Sequence, residues 1–129
     1  MGFFIGNVLR EEPIIIHSDG EQTRDFVYIQ DVVNAWVDSI EEPSTYGQFM
    51  NIGCGESISI NRLVDSVLAA SGRSRDNYPI RYGKVRPGDQ RHMVADISKA
   101  KRVIGWEPRM NLIEGLRGTI NWAKKEMVK

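Results

Sequence analysis

The chain has almost none of the residues on which metal and disulfide chemistry depend. Cys54 is the only cysteine, and there are two histidines among 129 residues. A disulfide framework and a metal cluster are therefore both excluded. A lone thiol suits a reducing compartment, where it usually serves as a small buried apolar side chain. Neither sign of charge is in excess, since 17 basic residues balance 17 acidic ones, and this balance argues against nucleic-acid binding.

Long apolar runs are missing as well. No stretch approaches the roughly 20 apolar residues that span a membrane. The first residues lack the basic segment and long apolar run of a secretion signal. The length fits one domain over residues 1–129 that buries its own core. We therefore expect a single soluble, cytoplasmic domain without a membrane partner.

Two motifs of dinucleotide enzymes are absent. Gly53-Cys54-Gly55 lies between an apolar segment and a helix, but Ile58 stands where the dinucleotide fingerprint needs its third glycine. No tyrosine is followed four residues later by lysine, the pair in which an ammonium lowers the phenol pKa so that it acts as a base. We expect this chain alone to contain no catalytic residue and to bind no cofactor.

Apolar periodicity predicts four helices, and residues 3–10 fit one more. The four cover 29–40, the stretch from the cap Ser59 to Gly72, the stretch from the cap Asp96 to Gly105, and the stretch from Asn111 to Met127. The three tryptophans lie on or near apolar helix faces and are predicted to be core residues: Trp36, Trp106 and Trp122.

Short strands are predicted between these helices. They cover residues 14–17, 26–29, 48–52, 80–82 and 92–95. Because strands and helices interleave, the predicted fold class is α/β (α+β-like), a small mixed sheet with covering helices.

A tight turn supplies the clearest candidate site. Proline and glycine in Arg86-Pro87-Gly88-Asp89 favour the second and third turn positions, so the first and fourth residues lie close together. Arg86 suits a phosphate, and the Asp89 carboxylate suits a pair of sugar hydroxyls. The alternative is a surface turn with an incidental ion pair.

Two further residues are candidates near the first strand. Arg24 opens the predicted strand after the Asp19-Gly20 turn and could hold a second phosphate oxygen. Its alternative role is a solvated charge paired with Asp25. His17 ends an apolar strand, and no carboxylate or nucleophile is spaced to support it as a base. A packed or base-stacking ring is the favoured interpretation.

Taken in order, these segments resemble the C-terminal part of the extended short-chain dehydrogenase/reductase family, the NAD-dependent nucleotide-sugar epimerases and dehydratases. The resemblance covers nearly the whole chain. It lies in the following blocks: the strand and turn from Ile15 to Gly20, GEQTRDFVYI at 20–29, DVV at 31–33, NIG at 51–53, RPGD at 86–89, ADISKA at 95–100 and GWEP at 105–108.

The resemblance implies a nucleotide-sugar-binding lobe whose N-terminal NAD-binding Rossmann domain is missing. Arg24 and Arg86 would bind the pyrophosphate and Asp89 the ribose. The strand around Ile15, Ile16 and His17 would lie against the base. UDP-glucose 4-epimerase-like members are the nearest match, so the expected enzyme is an isomerase that holds NAD in its full-length form and is inactive as this lobe alone.

Several alternatives stay open. Within the family they are a nucleotide-sugar 4,6-dehydratase or an epimerase acting at another carbon; outside it, a non-catalytic nucleotide-binding module. The Rossmann domain would be supplied in cis or by a separate chain, so the sequence is a cloned fragment, a truncated product or half of a split enzyme. The family's dimer interface would be absent. Ser18 stands where the family usually has glycine, which leaves the turn geometry there undetermined.

Overall fold

The computed structural model describes residues 1–127, and these residues form five helices and four short strands. The helices are α1 (Gly2–Leu9), α2 (Ile29–Ile40), α3 (Ile60–Ala70), α4 (Ser98–Ile104) and α5 (Leu112–Met127). The strands are β1 (Ile14–His17), β2 (Thr23–Arg24), β3 (Ile58–Ser59) and β4 (Ile80–Gly83). Single 3-10 turns occupy Pro43–Thr45 and Arg75–Asn77. A helix that combines the length and the apolarity needed to cross a bilayer is not found among these residues.

Local capping signals set the helix ends. The Ser59 hydroxyl accepts a hydrogen bond from Arg62 N at 3.2 Å and caps α3. Asn111 Oδ1 accepts one from Glu114 N at 3.0 Å at the start of α5. Gly105 ends α4 in the left-handed region, at φ +61. The five predicted helices are therefore confirmed, except that α4 begins two residues after its predicted cap.

The strands form two small sheets. β1 pairs in parallel with β4, with Ile14 opposite Ile80 and His17 opposite Gly83. β2 pairs antiparallel with β3. The α/β class with covering helices is confirmed, but two separate two-stranded sheets replace the single mixed sheet that was predicted.

Three predicted strands do not form, namely those over 26–29, 48–52 and 92–95. At Ala95, within one of these segments, and in the loop that follows 48–52, backbone donors bind a side chain and not a neighbouring strand. The Asp25 carboxylate accepts hydrogen bonds from Cys54 N at 2.6 Å, Gly55 N at 3.0 Å and Ala95 N at 3.2 Å. Alternating apolar residues predict a strand, yet a strand also requires a ladder partner, which these segments lack in the described part of the chain.

The main core lies between α1, β1, α3 and α5. Side chains of β1 alternate between its two faces, so Ile14 and Ile16 are buried while Ile15 and His17 face outward. α3 presents a fully buried stripe to the same core: Leu63, Val64, Val67 and Leu68. This alternation positions two side chains of the candidate site, because it places Ile15 and His17 together on the outward face of β1.

The apolar stripe of α2 is solvent-exposed. Trp36 is 69% exposed, and Trp122 on α5 is 63% exposed, so the prediction that both are core residues is wrong. Only Trp106, at 5%, is buried as predicted. α2 instead packs its other side, with Ala35, against Trp106. Periodicity located the apolar face correctly but could not tell whether this chain covers it.

Candidate functional site

One cavity of about 420 Å³ brings together most of the predicted site residues. Five of the six line it: Ile15, His17, Arg24, Arg86 and Asp89. The volume falls within the roughly 300–1,000 Å³ typical of small-molecule sites. Residues from distant parts of the chain therefore converge on one concave surface with apolar, cationic and acidic components.

Ile16 is the exception. Its side chain is 0% exposed and belongs to the main core, on the opposite face of β1 from Ile15 and His17. Successive strand residues point to opposite faces, so three consecutive residues cannot all face one ligand. The Ile16 side chain therefore does not face the cavity, and the expectation that the strand around Ile15, Ile16 and His17 lies against a nucleobase stays a prediction.

Arg24 is held in place by three acceptors. Its Nη1 donates to Thr23 O and to Gln90 O, both at 2.7 Å, and its Nη2 forms an ion pair with Asp89 Oδ1. The alternative pairing of Arg24 with Asp25 is therefore not observed. A guanidinium fixed in this way is a preorganised positive charge at the cavity wall.

The turn predicted at 86–89 forms. Gly88 adopts φ +77, and Asp89 N donates to Arg86 O at 3.2 Å. Asp89 pairs with Arg24 and not with Arg86, which rules out the incidental ion pair considered within this turn. Within residues 1–127, the Arg86 side chain has no hydrogen bond or ion pair and Asp89 Oδ2 has no partner. Both remain available to a ligand.

The turn after β1 orients the histidine. His17 Nδ1 lies 3.1 Å from Lys84 O, and because a carbonyl only accepts, Nδ1 carries the proton. Ser18 follows with φ +64, a left-handed conformation that glycine adopts more easily. The undetermined geometry at Ser18 is thus resolved, and serine there carries a strain of about 1 kcal/mol.

A bidentate ion pair connects the segment after the Arg86–Asp89 turn to the turn that follows β1. Arg91 donates to Asp19 Oδ1 at 2.7 Å and to Oδ2 at 2.9 Å, and Thr23 N donates to Arg91 O at 2.9 Å. Hydrogen bonding from Arg91, and then from the Glu21 backbone, lowers the pKa of Asp19 to about 2. These contacts tie the segment that carries Asp89 to the one that carries Arg24.

Several wall residues were not predicted. They come from α1, from the start of α3 and from the segment before β2: Met1, Phe3, Phe4, Asn7, Ile60 and Gln22. Only Gln22 had a local signal, because it lies two residues before Arg24 and alternate residues of an extended segment share a face. The others are brought to the cavity by packing between remote elements.

In the Gly53-Cys54-Gly55 loop, the backbone N–H groups of Cys54 and Gly55 are not available to a dinucleotide phosphate. Its backbone donors Cys54 N and Gly55 N are both bound by the Asp25 carboxylate. Burial, and then the charge of Asp25, raises the pKa of the Cys54 thiol, which keeps it protonated and unreactive. The Asp25 carboxylate thus occupies the donors of this loop that a phosphate would need, so the loop does not fit the pyrophosphate of a dinucleotide.

The fold and the cavity define a mixed α/β lobe with an arginine-lined, partly apolar pocket. The family model described as GDP-mannose 4,6 dehydratase matches residues 4–119. The chain belongs to this family, the nucleotide-sugar epimerases and dehydratases of the extended short-chain dehydrogenase/reductase type, as the sequence blocks predicted.

Relatives match almost the whole chain but only part of their own length. A UDP-glucuronate 4-epimerase from Thermodesulfobacterium geofontis is 36% identical, over 98% of this chain and 38% of the relative. The structure of a UDP-glucose 4-epimerase from Thermotoga maritima, solved with UDP-glucose, is similar with a TM-score of 0.87 and 36% identity. That match covers 97% of this chain and 39% of the other.

A third relative was solved with both a sugar nucleotide and a dinucleotide. It is a UDP-glucuronic acid 4-epimerase from Bacillus cereus, in complex with UDP-glucuronic acid and NAD. It is 32% identical with a TM-score of 0.86, over 95% of this chain and 38% of the relative. The chain thus spans less than two fifths of the length of each of these three relatives.

Proposed function

We propose that this chain is the nucleotide-sugar-binding lobe of an NAD-dependent nucleotide-sugar epimerase, with UDP-glucose 4-epimerase-like chemistry. The observation that carries the proposal is the convergence of Arg24, Arg86 and Asp89 with Ile15 and His17 on one cavity. Three relatives that match this chain are 4-epimerases of UDP-sugars, which supports the choice of reaction.

The two arginines take different roles toward the diphosphate. Arg24 is already fixed by Thr23 O, Gln90 O and Asp89, so it presents its charge without further ordering. The Arg86 residue is exposed and its guanidinium has no partner in the described part of the chain, so it closes on the phosphate when the ligand enters. Charge-assisted hydrogen bonds of this kind are the strong ones in phosphate recognition.

Asp89 serves two partners at once. Its Oδ1 pairs with Arg24, and its Oδ2 is available to accept hydrogen bonds from ribose hydroxyls. The base lies against the outward face of β1, on Ile15 and His17. Anchoring the nucleotide assigns binding energy to a non-reacting part of the substrate, which is how remote contacts support chemistry elsewhere.

The cofactor belongs to another part of the enzyme. This chain offers no dinucleotide loop and no tyrosine-lysine pair, so we propose that a Rossmann domain, in cis or as a separate chain, supplies NAD and the reacting groups. The exposed stripe of α2 is the surface that this domain would cover. The stripe comprises Ile29, Val33, Trp36, Val37 and Ile40.

Calorimetric titration of the chain with UDP, dTDP, GDP and CDP tests the proposal. We expect weak binding, because part of the pocket is supplied elsewhere. Arg86→Ala should weaken it at least tenfold, since a hydrogen bond to a charged group contributes about 1.5–3 kcal/mol. Arg81→Ala is the matched control, because Arg81 is an exposed arginine on β4 outside the cavity. Equal affinity of the parent and Arg86→Ala for every nucleotide, or stoichiometric NAD on this chain alone, would contradict the proposal.

A 4,6-dehydratase is the second candidate, because the matching family model carries that description. It uses the same nucleotide site, so titration alone does not separate the two. Activity of the chain joined to its cofactor domain does: an epimerase converts one nucleotide sugar into its 4-epimer, whereas a dehydratase releases water and forms a 4-keto-6-deoxy sugar. A non-catalytic module would bind nucleotide in the absence of any cofactor-domain partner.

A further inference from the structure

The segment that carries Arg86 and Asp89 has neither regular secondary structure nor a buried residue. Residues 84–97, between β4 and α4, contain no helix or strand, and every residue from 84 to 94 is exposed. We call residues 84–94 the site loop. An irregular connection as long as 84–97 is uncommon in a small domain unless it has a function. Because burial does not fix the site loop, its polar contacts must determine where Arg86 and Asp89 lie.

Some anchors of the site loop face the cavity itself. Arg24 donates to Gln90 O at 2.7 Å and pairs with Asp89, and His17 Nδ1 donates to Lys84 O at 3.1 Å. Arg24 and His17 both line the cavity. The Arg24 guanidinium is also the proposed phosphate ligand, so a bound diphosphate shares it with the loop. An anchor that does not face the ligand is needed to hold the loop in both states.

Arg91 is such an anchor. Its side chain donates to both carboxylate oxygens of Asp19, at 2.7 and 2.9 Å, and its carbonyl accepts from Thr23 N at 2.9 Å. Neither Arg91 nor Asp19 is among the described residues that line the cavity, so a ligand there does not compete for this ion pair. Thr23 directly precedes Arg24, and Arg91 lies two residues after Asp89. The ion pair therefore holds the two sides of the site together from outside the cavity.

Asp19 is itself fixed to a helix of the core. Its Oδ1 also accepts from Glu21 N at 2.9 Å, and its carbonyl accepts from Asn61 Nδ2 at 2.9 Å. Asn61 lies in the first turn of α3, which contributes its apolar stripe to the main core. Tyr82 Oη donates to Asn61 Oδ1 at 3.0 Å, which fixes the orientation of the Asn61 amide. The site loop is thus tied to a rigid acceptor and not to a mobile surface carboxylate.

We propose that Arg91 is a positioning residue of the nucleotide site: through Asp19 it holds the site loop against β2, with the Arg86–Asp89 turn facing the cavity. The inference rests on the proposed function, since it needs a nucleotide in this cavity, and it adds a residue that sets affinity without touching the ligand. An exposed ion pair shifts a two-state equilibrium by at most about fivefold. When the competent form of a site is less populated, its affinity falls by the same factor.

Calorimetric titration with UDP compares the parent with single and double variants. Arg91→Gln should bind UDP about fivefold more weakly, and so should Asp19→Asn, which keeps an acceptor for Glu21 N but removes the charge. Because the two residues act as one pair, the double variant should bind no more weakly than Arg91→Gln alone. Arg73→Gln is the matched control, since it removes another arginine–carboxylate pair, Arg73–Glu11 at 2.9 Å, outside the site loop. Unchanged affinity of Arg91→Gln, or losses that multiply in the double variant, overturn the inference.

Amide hydrogen exchange without ligand shows whether the loop itself depends on this ion pair. Thr23 N donates to Arg91 O, so the Thr23 N–H should exchange about fivefold faster in Arg91→Gln. In Arg73→Gln, which loses an ion pair elsewhere, the Thr23 N–H should exchange as in the parent. If Thr23 exchanges at the parent rate in Arg91→Gln, or equally fast in both variants, Arg91 does not hold the loop and the inference is overturned.

The two levels of the proposal fail differently. If UDP does not bind, or if Arg86→Ala has no effect on its binding, the proposed function fails and the role of Arg91 toward a nucleotide fails with it. If UDP binds and Arg86→Ala weakens its binding while Arg91→Gln does not, only the role of Arg91 is wrong. Asp19→Asn decides the same point if Arg91→Gln does not fold.

Discussion

The Asp31 carboxylate should be among the most important single groups for stability. Asp31 is a buried residue in the first turn of α2. Its Oδ2 accepts hydrogen bonds from Arg109 N at 3.1 Å and Met110 N at 3.0 Å, and its backbone carbonyl accepts one from Trp106 Nε1 at 3.2 Å. One residue thus fastens the segment that leads from α4 into α5 onto α2.

The expected loss of stability in Asp31→Ala follows from the two backbone N–H groups that it leaves without an acceptor. Asp31→Ala removes the acceptor of two backbone N–H groups, and an unsatisfied buried donor costs about 1–3 kcal/mol. Arg109 is exposed and Met110 is half-buried, so water replaces part of the loss at Arg109. Loss of the favourable charge near the helix N-terminus adds about 0.3–1 kcal/mol. We expect the free energy of unfolding to fall by about 2–4 kcal/mol.

Thermal and urea denaturation, followed by circular dichroism, measure the change in unfolding free energy of Asp31→Ala. A loss of that size lowers the Tm of a domain of this length by roughly 10 °C. Asp31→Asn keeps an acceptor oxygen without the charge and should lose about half as much. Asp38→Ala is the control, because Asp38 is an exposed aspartate on the same helix. If Asp31→Ala and Asp38→Ala unfold at the same urea concentration, the carboxylate does not hold the segment and the reasoning is wrong.

Two further predictions concern the surface. Since the proposed role of the exposed α2 stripe is to be covered by the cofactor domain, Trp36→Glu should weaken association with that domain, supplied as a separate chain and followed by light scattering, while changing the unfolding free energy by less than about 1 kcal/mol. Trp106→Ala, at a buried ring, should instead lose about 3–5 kcal/mol. Undiminished association of Trp36→Glu with the cofactor domain would contradict the role proposed for α2. The pKa of Asp19 is about 2 in the folded chain against an ordinary 3.8. The contribution of the Asp19 carboxylate to stability is therefore present above about pH 4 and is lost as the pH falls toward 2. Because Arg91 is the main cause of the lowered pKa, Arg91→Gln should reduce the pH dependence of Tm between these two values. Arg81→Gln, which changes an exposed arginine outside this pair, should leave that dependence unaltered.

The sequence predicted local features well where neighbours in the chain decide them. Ser59, Asn111 and Gly105 act within one helical turn, so the corresponding helix ends could be read directly. The Arg86–Asp89 turn is equally local, because proline and glycine fix its backbone angles. Strands were predicted less well, since apolar alternation does not reveal whether a partner strand is present.

The sequence by itself determined the helices, the site turn and the family, because each depends on the order and spacing of nearby residues. Tertiary structure decided which groups meet. It paired Asp89 with Arg24 across 65 positions, buried Ile16 while exposing Ile15, and brought α1 and Gln22 to the cavity. It also left Trp36 exposed while burying Trp106. Burial and ion pairing depend on elements that are distant in the chain, and no local pattern encodes which of them will pack together.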